Sequence, residues 1–112
     1  MKADLVRYTV RGGRRTENAA LVAGVFKELH DMKPADLGYL VLELEDGTFL
    51  HLVCYEAEDT GGLTSLAAFR RFQERAHDRR DGGVERRPAR VIGAFNIDRF
   101  ANLSDAETAH GG

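Results

Sequence analysis

The chain has no tryptophan, one cysteine and two prolines in 112 residues, and no apolar run nears the roughly 18 residues that suggest a membrane span. The lone Cys54 excludes an internal disulfide framework and suits a reducing compartment. Excess positive charge is also missing: a net charge of −2 and a pI near 6.1 argue against nucleic acid or an anionic membrane as partner. Behind Lys2 there is no apolar core, and Asp4 interrupts the stretch, so no signal peptide is expected and the expected location is cytoplasmic. His30, His51, His77 and His110 have no paired ligand spacing, and Cys54 has no CxxC partner, so no metal site is expected. Gly12-Gly13, Gly61-Gly62 and Gly82-Gly83 are turn glycines without a helix-opening phosphate loop, and no nucleophile elbow occurs. No cofactor is expected.

What remains is an ordinary globular composition, 43% hydrophobic and 30% charged, in a length suited to one domain. Charge is unevenly spread. Arg70, Arg71, Arg75, Arg79, Arg80, Arg86, Arg87 and Arg90 crowd one quarter of the chain, while acids gather around Glu43, Glu45, Asp46, Glu56, Glu58 and Asp59.

Ala3 to Val10 is rich in β-formers and ends at Arg11-Gly12-Gly13, which predicts a first strand. Thr16 can cap a helix whose stripe is Val22, Val25, Phe26, Leu29 and Met32, stopped by Pro34. Gly24 inside it suggests a close approach by a neighbouring backbone. A hairpin from Leu37 to Glu56 follows, and Asp46-Gly47 predicts a two-residue type I′ turn. That turn pairs Leu42 with His51, placing Leu40, Leu42, Leu44, Phe49, His51, Val53 and Tyr55 on one face. Tyr39, Val41, Glu43, Leu50, Leu52 and Cys54 fall on the other. After a polar loop at Glu58-Asp59-Thr60-Gly61-Gly62, Thr64 or Ser65 can cap a second helix with the stripe Leu66, Phe69, Phe72 and Ala76. A last strand is predicted over Ala89 to Ile97. Residues 98–112 are expected to form a loose tail, with Phe100 and Leu103 able to tack part of it down.

The order βαββαβ, with right-handed crossovers, gives an α+β ferredoxin-like domain over residues 1–97: a four-stranded antiparallel sheet with both helices on one face. Both hairpin faces are apolar, so the face without helices needs its own cover. A second copy of the chain, meeting it sheet to sheet, is the economical one. The RNA-recognition motif shares this element order. Here, however, Asp46 stands where a basic residue would precede the glycine, and the first strand lacks the aromatic pattern.

Several stretches carry a family resemblance. They are Leu5-Val6-Arg7-Tyr8-Thr9-Val10, Glu17-Asn18 with Phe26-Lys27-Glu28-Leu29, Tyr39 to Gly47, Phe49-Leu50-His51-Leu52-Val53, and Leu66-Ala67-Ala68-Phe69-Arg70-Arg71-Phe72. In pattern and spacing over residues 3 to 97 the chain resembles the antibiotic biosynthesis monooxygenase-like (ABM-like) proteins of the dimeric α+β barrel superfamily. The resemblance implies homodimers with sheets face to face and a pocket in each subunit between sheet and helices. Some members oxidise aromatic polyketides or quinols without metal or flavin, and others degrade haem. Haem-degrading members place an iron-ligating histidine near His77, with a tryptophan on that helix and an asparagine on the first strand; this chain has neither.

His51 leads the candidate site residues, since an imidazole in mid-strand can act as a base or orient a phenolic substrate. The plain alternative is a histidine bonded to a buried neighbour or to the partner subunit. Tyr8 and Tyr55, with Tyr39, are the polar-tipped strand residues, and buried tyrosines are also common in cores. Arg7 would stabilise developing negative charge or pair with Glu43 across an interface; by parity it joins Leu5 and Thr9. The resemblance implies a small-molecule-binding protein, a cofactor-independent monooxygenase of a phenolic or quinol compound. A non-catalytic dimeric module that binds a small aromatic ligand, or only scaffolds, is the alternative.

Overall fold

The computed structural model describes residues 1–56 and 60–97, so the expected tail, with Phe100 and Leu103, lies outside the described residues. The elements are β1 (Lys2–Thr9), α1 (Arg15–Met32), β2 (Leu37–Glu43), β3 (Thr48–Tyr55), α2 (Ala67–Gln73), α3 (Ala76–Arg79) and β4 (Glu85–Ala89), with 3₁₀ turns at Gly12–Arg14 and Thr60–Ser65. The strands form one antiparallel sheet in the order β2-β3-β1-β4, and the helices pack on one face of it, as the ferredoxin-like reading predicts. The core lies in that layer: Tyr8, Phe49 and Val53 of the sheet meet Val22 and Val25 of α1 and Phe69 and Phe72 of α2. No helix of the described residues is long and apolar enough to cross a membrane.

The hairpin register differs from the predicted one by a single residue, with large consequences. Val41, not Leu42, lies opposite His51, and Glu43 lies opposite Phe49. The Gly47 N–H donates to the Leu44 carbonyl (3.1 Å) and the Leu44 N–H to the Thr48 carbonyl (2.8 Å), so the loop has three residues, Glu45-Asp46-Gly47. Only Gly47 takes positive φ, at 89°. Asp46 instead accepts the Thr48 N–H through its carboxylate at 3.0 Å, which satisfies the donor without a mirror-image turn. The Gly47 carbonyl also accepts the Val10 N–H at 2.9 Å, tying the turn to the end of β1. A slip of one residue turns a whole strand over. Tyr39 and Val41 therefore share the helix-covered face with Val6, Tyr8, His51, Val53 and Tyr55, and Leu40 and Leu42 join Leu5, Leu50, Leu52 and Cys54 on the open face.

Four further expectations are corrected. The last strand is Glu85–Ala89 rather than Ala89 to Ile97. The chain leaving α3 pairs at once with the end of β1, through Val10 opposite Arg80 and the Asp81 N–H on the Thr9 carbonyl. Running antiparallel, it reaches Ala3 by Ala89, so β1 is used up before the apolar residues begin. Pro88 is tolerated because β4 is an edge strand. Ile92 and Phe95 are left 89% and 85% exposed.

The second helix is broken at Arg75, which takes left-handed φ (56°), because buried Arg79 folds back and donates to the carbonyls of Phe72 and Glu74. The expected hydroxyl caps are not used either. Ser65 donates to the Gly62 carbonyl, and it is Glu28 of α1 that accepts the Ala68 N–H at 2.8 Å. Around Gly24 nothing lies within 4 Å of where a Cβ would be, so no backbone approaches it.

Candidate functional site

His51 is 4% exposed in the middle of β3, and both of its ring nitrogens are engaged. Nδ1 shares a hydrogen bond of 2.7 Å with the Tyr39 hydroxyl on β2, and Nε2 shares one of 2.8 Å with the Tyr8 hydroxyl on β1. Tyr8 Oη also accepts from Asn18 Nδ2 of α1 at 3.0 Å, and Asn18 Oδ1 accepts from Arg79 Nε at 3.0 Å. A guanidinium only donates, so Arg79 fixes which way the Asn18 amide points, and that orientation makes Tyr8 an acceptor. The result is a buried chain, Tyr39–His51–Tyr8–Asn18–Arg79, spanning sheet and helices. Phe72 closes over it: its ring lies 5.6 Å from the His51 ring and 5.4 Å from the Arg79 guanidinium carbon. Every buried side-chain nitrogen and oxygen of the described residues has a partner.

Burial pushes the His51 imidazole down to about 4, so it is neutral near neutral pH. Burial likewise pushes the Tyr8 phenol up to about 12, against the opposing pull of the Asn18 hydrogen bond and the charges of Arg79 and Arg80. Tyr39 is raised too, again chiefly by burial. A neutral imidazole has one donor and one acceptor, which leaves two proton arrangements. With the proton on Nε2, Tyr39 donates to Nδ1 and the Tyr8 hydroxyl proton is free for the cavity. With it on Nδ1, Tyr8 donates to Nε2 and the Tyr39 proton is free. Exchange between the two moves a donor from one tyrosine to the other without creating a charge.

The chain borders a cavity of about 130 Å³ between sheet and helices. Tyr8, Tyr39, His51 and Asn18 form its polar wall, Val6, Val53, Leu63, Phe69 and Phe72 its apolar one, and Asp4, Arg80 and Arg86 also line it. An apolar cavity of about 150 Å³ holds a benzene molecule, so this one is sized for a single ring.

Of the four sequence candidates, His51 and Tyr8 meet. Tyr55 shares their face but donates to Asp4 Oδ2 at 2.8 Å, away from the imidazole. Arg7 lies on the opposite face, pairing with Glu85 at 3.8 Å; Glu43, its expected partner, is held by Arg15 at 2.8 Å. His77 is solvated beside Asp78. Sequence reasoning passed over Asn18 and Arg79 as site residues, and it weighed Tyr39 with the other strand tyrosines but on the face opposite His51. Its place beside His51 was hidden by the register. Asn18 carried a signal, a polar residue at helical spacing with Val22, Val25 and Leu29. Arg79 had none to set it apart from the surrounding arginines.

No protein-family model and no curated protein matches the chain. Solved structures do match, with high similarity of fold and very low identity. One described as an antibiotic biosynthesis monooxygenase aligns at a TM-score of 0.68 and 7% identity, over 83% of this chain and 100% of that one. Rv0793 from Mycobacterium tuberculosis aligns at 0.67 and 11%, over 83% and 96%. A protein of unknown function from Nitrosomonas europaea, NE2512, aligns at 0.66 and 12%, over 84% and 91%. Several others bear the monooxygenase name as a provisional assignment. The sheet, its helices and the cavity between them are thus built on the ABM-like form of the ferredoxin-like α+β fold.

Proposed function

We propose that the chain binds a single-ring phenol or quinol in this cavity and oxygenates it without metal or flavin. The observation that carries the reading is the Tyr39–His51–Tyr8 chain set into the wall of a ring-sized cavity between sheet and helices. With a quinol as substrate, one ring C–H becomes C–OH and the quinol becomes a quinone. Dioxygen supplies that oxygen, its second atom leaves as water, and the substrate provides all the electrons. The protein's part is to take up a phenolic proton in an apolar setting. Both His51 nitrogens are occupied, so the base works through a tyrosine: the hydroxyl facing the ring accepts the proton while passing its own to His51. Arg7, on the opposite face, stands outside this centre, while Tyr55 touches it through Asp4, a lining residue to which it donates.

The non-catalytic alternative draws on the completeness of the same hydrogen bonding, since a closed network can serve binding alone. Oxygen uptake and quinone absorbance over a panel of single-ring quinols distinguish the two. Turnover that drops by roughly 10²-fold or more in His51→Gln supports the oxygenase. Binding without turnover in wild type supports the module, and equal turnover in both proteins removes His51 from the chemistry.

The reading includes a second copy of the chain over the open sheet face. Leu5, Leu40, Leu50 and Leu52 are half-buried there and Leu42 is 50% exposed; Ile92 and Phe95 add apolar surface beyond the sheet end. Contiguous apolar surface of that kind is uncommon on a monomer. Sedimentation should give twice 12.4 kDa at micromolar concentration, and a mass of 12.4 kDa would refute the dimer.

A further inference from the structure

The cavity wall carries more positive than negative charge. Arg80 is half-buried, and neither it nor Arg86 makes an ion pair or a side-chain hydrogen bond among the described residues. Their neighbours are differently placed: Arg7 and Arg87 pair with Glu85, Arg14 with Glu17 and Arg75 with Asp78. Both unpaired arginines are held in position by backbone. Arg80 lies opposite Val10 at the end of β1, two residues beyond Tyr8, and its N–H donates to the Ala76 carbonyl. Arg86 lies opposite Val6, on the face that carries Tyr8 and His51. Asp4 is the one carboxylate among the lining residues, and it already accepts the Tyr55 hydroxyl. With His51 neutral, the wall keeps one uncompensated positive charge. A cation at the edge of an apolar cavity favours an anionic ligand, and a guanidinium fork suits a carboxylate in particular.

From the unpaired Arg80 and Arg86 beside a ring-sized cavity, we infer that the ligand is a hydroxylated single-ring aromatic acid. Its carboxylate is held at the arginine side and its hydroxyl is turned toward the Tyr8–His51–Tyr39 chain. This rests on the single-ring phenol reading above and narrows it to acids.

The test is titration calorimetry of the full chain near neutral pH, using the three isomeric hydroxybenzoates and, as neutral isosteres, their amides. At least one acid is expected to bind tenfold or more tightly than its amide. That preference should shrink as salt is raised, and fall to threefold or less in Arg80→Gln and in the double variant with Arg86→Gln. Amide affinity serves as the folding control for both variants. Because Arg86 is exposed, Arg86→Gln alone gives a version that leaves the core untouched. Acids and amides binding equally well would overturn the inference and leave the single-ring reading standing. A preference that survives loss of both arginines would overturn the assignment to them. If no member of either series binds, the inference and the reading beneath it fall together.

Discussion

The buried imidazole should make stability depend on pH in a way that one substitution removes. In the unfolded chain His51 takes up a proton as pH falls through about 6.5, whereas in the folded protein burial delays this to about 4. Between those values the unfolded state holds more protons, so each step downward in pH favours unfolding. The contribution is fully present above the unfolded value and is lost as pH falls toward the folded one. Its limiting size is about 3 kcal/mol, from a difference of roughly 2.5 units at ~1.4 kcal/mol each. By about pH 4.5, roughly 2 kcal/mol of it is gone. His51→Gln, which does not titrate, should therefore lose roughly 2 kcal/mol less than wild type between about pH 7 and about pH 4.5. For a domain of this size that is a difference of about 8–16 °C in the fall of Tm. Calorimetric scans at one protein concentration and matched ionic strength measure it, and the imidazole proton resonances give the folded pKa directly. Parallel pH profiles for the two proteins, or a His51 resonance titrating near 6.5, would refute the reasoning.

Removing Arg79 with Arg79→Met orphans Asn18 Oδ1 and the Phe72 and Glu74 carbonyls while relieving a buried charge. The expected net cost is about 2–4 kcal/mol by denaturant titration, and a change under ~0.5 kcal/mol would show that these bonds do not hold α2 and α3 in place. Tyr39→Phe leaves buried His51 Nδ1 without its partner and should cost about 1–3 kcal/mol in the same assay. Alanine at Gly24 and at Gly47 should shift stability in opposite directions. Gly24→Ala adds a methyl in open space within α1 and should raise stability by about 0.5–1 kcal/mol. Gly47→Ala puts a Cβ 3.1 Å from the Val10 carbonyl at positive φ and should lower it by about 1–2 kcal/mol or more.

Periodicity made the elements legible. Alternation in Leu5 to Val10 and in the hairpin, and the stripe of Val22, Val25 and Leu29, follow from the geometry of strands and helices, and the βαββαβ order then leaves few topologies. His51 and Tyr8 were legible as polar tips on buried strands. Tyr39 was legible as such a tip but not as a neighbour of His51, because Asp46-Gly47 suits two turn lengths. The choice between them was made elsewhere, where Val10 bonds the Gly47 carbonyl.

Local chemistry therefore determined which segments are strand and helix and which side chains seek burial, since those preferences act within a few residues along the chain. The tertiary structure decided everything that depends on distant groups meeting. Register was selected by a contact with β1, and the last strand by how far β1 extends. The second helix was broken by an arginine reaching back to carbonyls, and Asn18 and Arg79 joined the site only because α1 and α3 carry them to the tyrosine. Each is a hydrogen bond or ladder between residues far apart in sequence, a partnership that neither residue's own neighbours record.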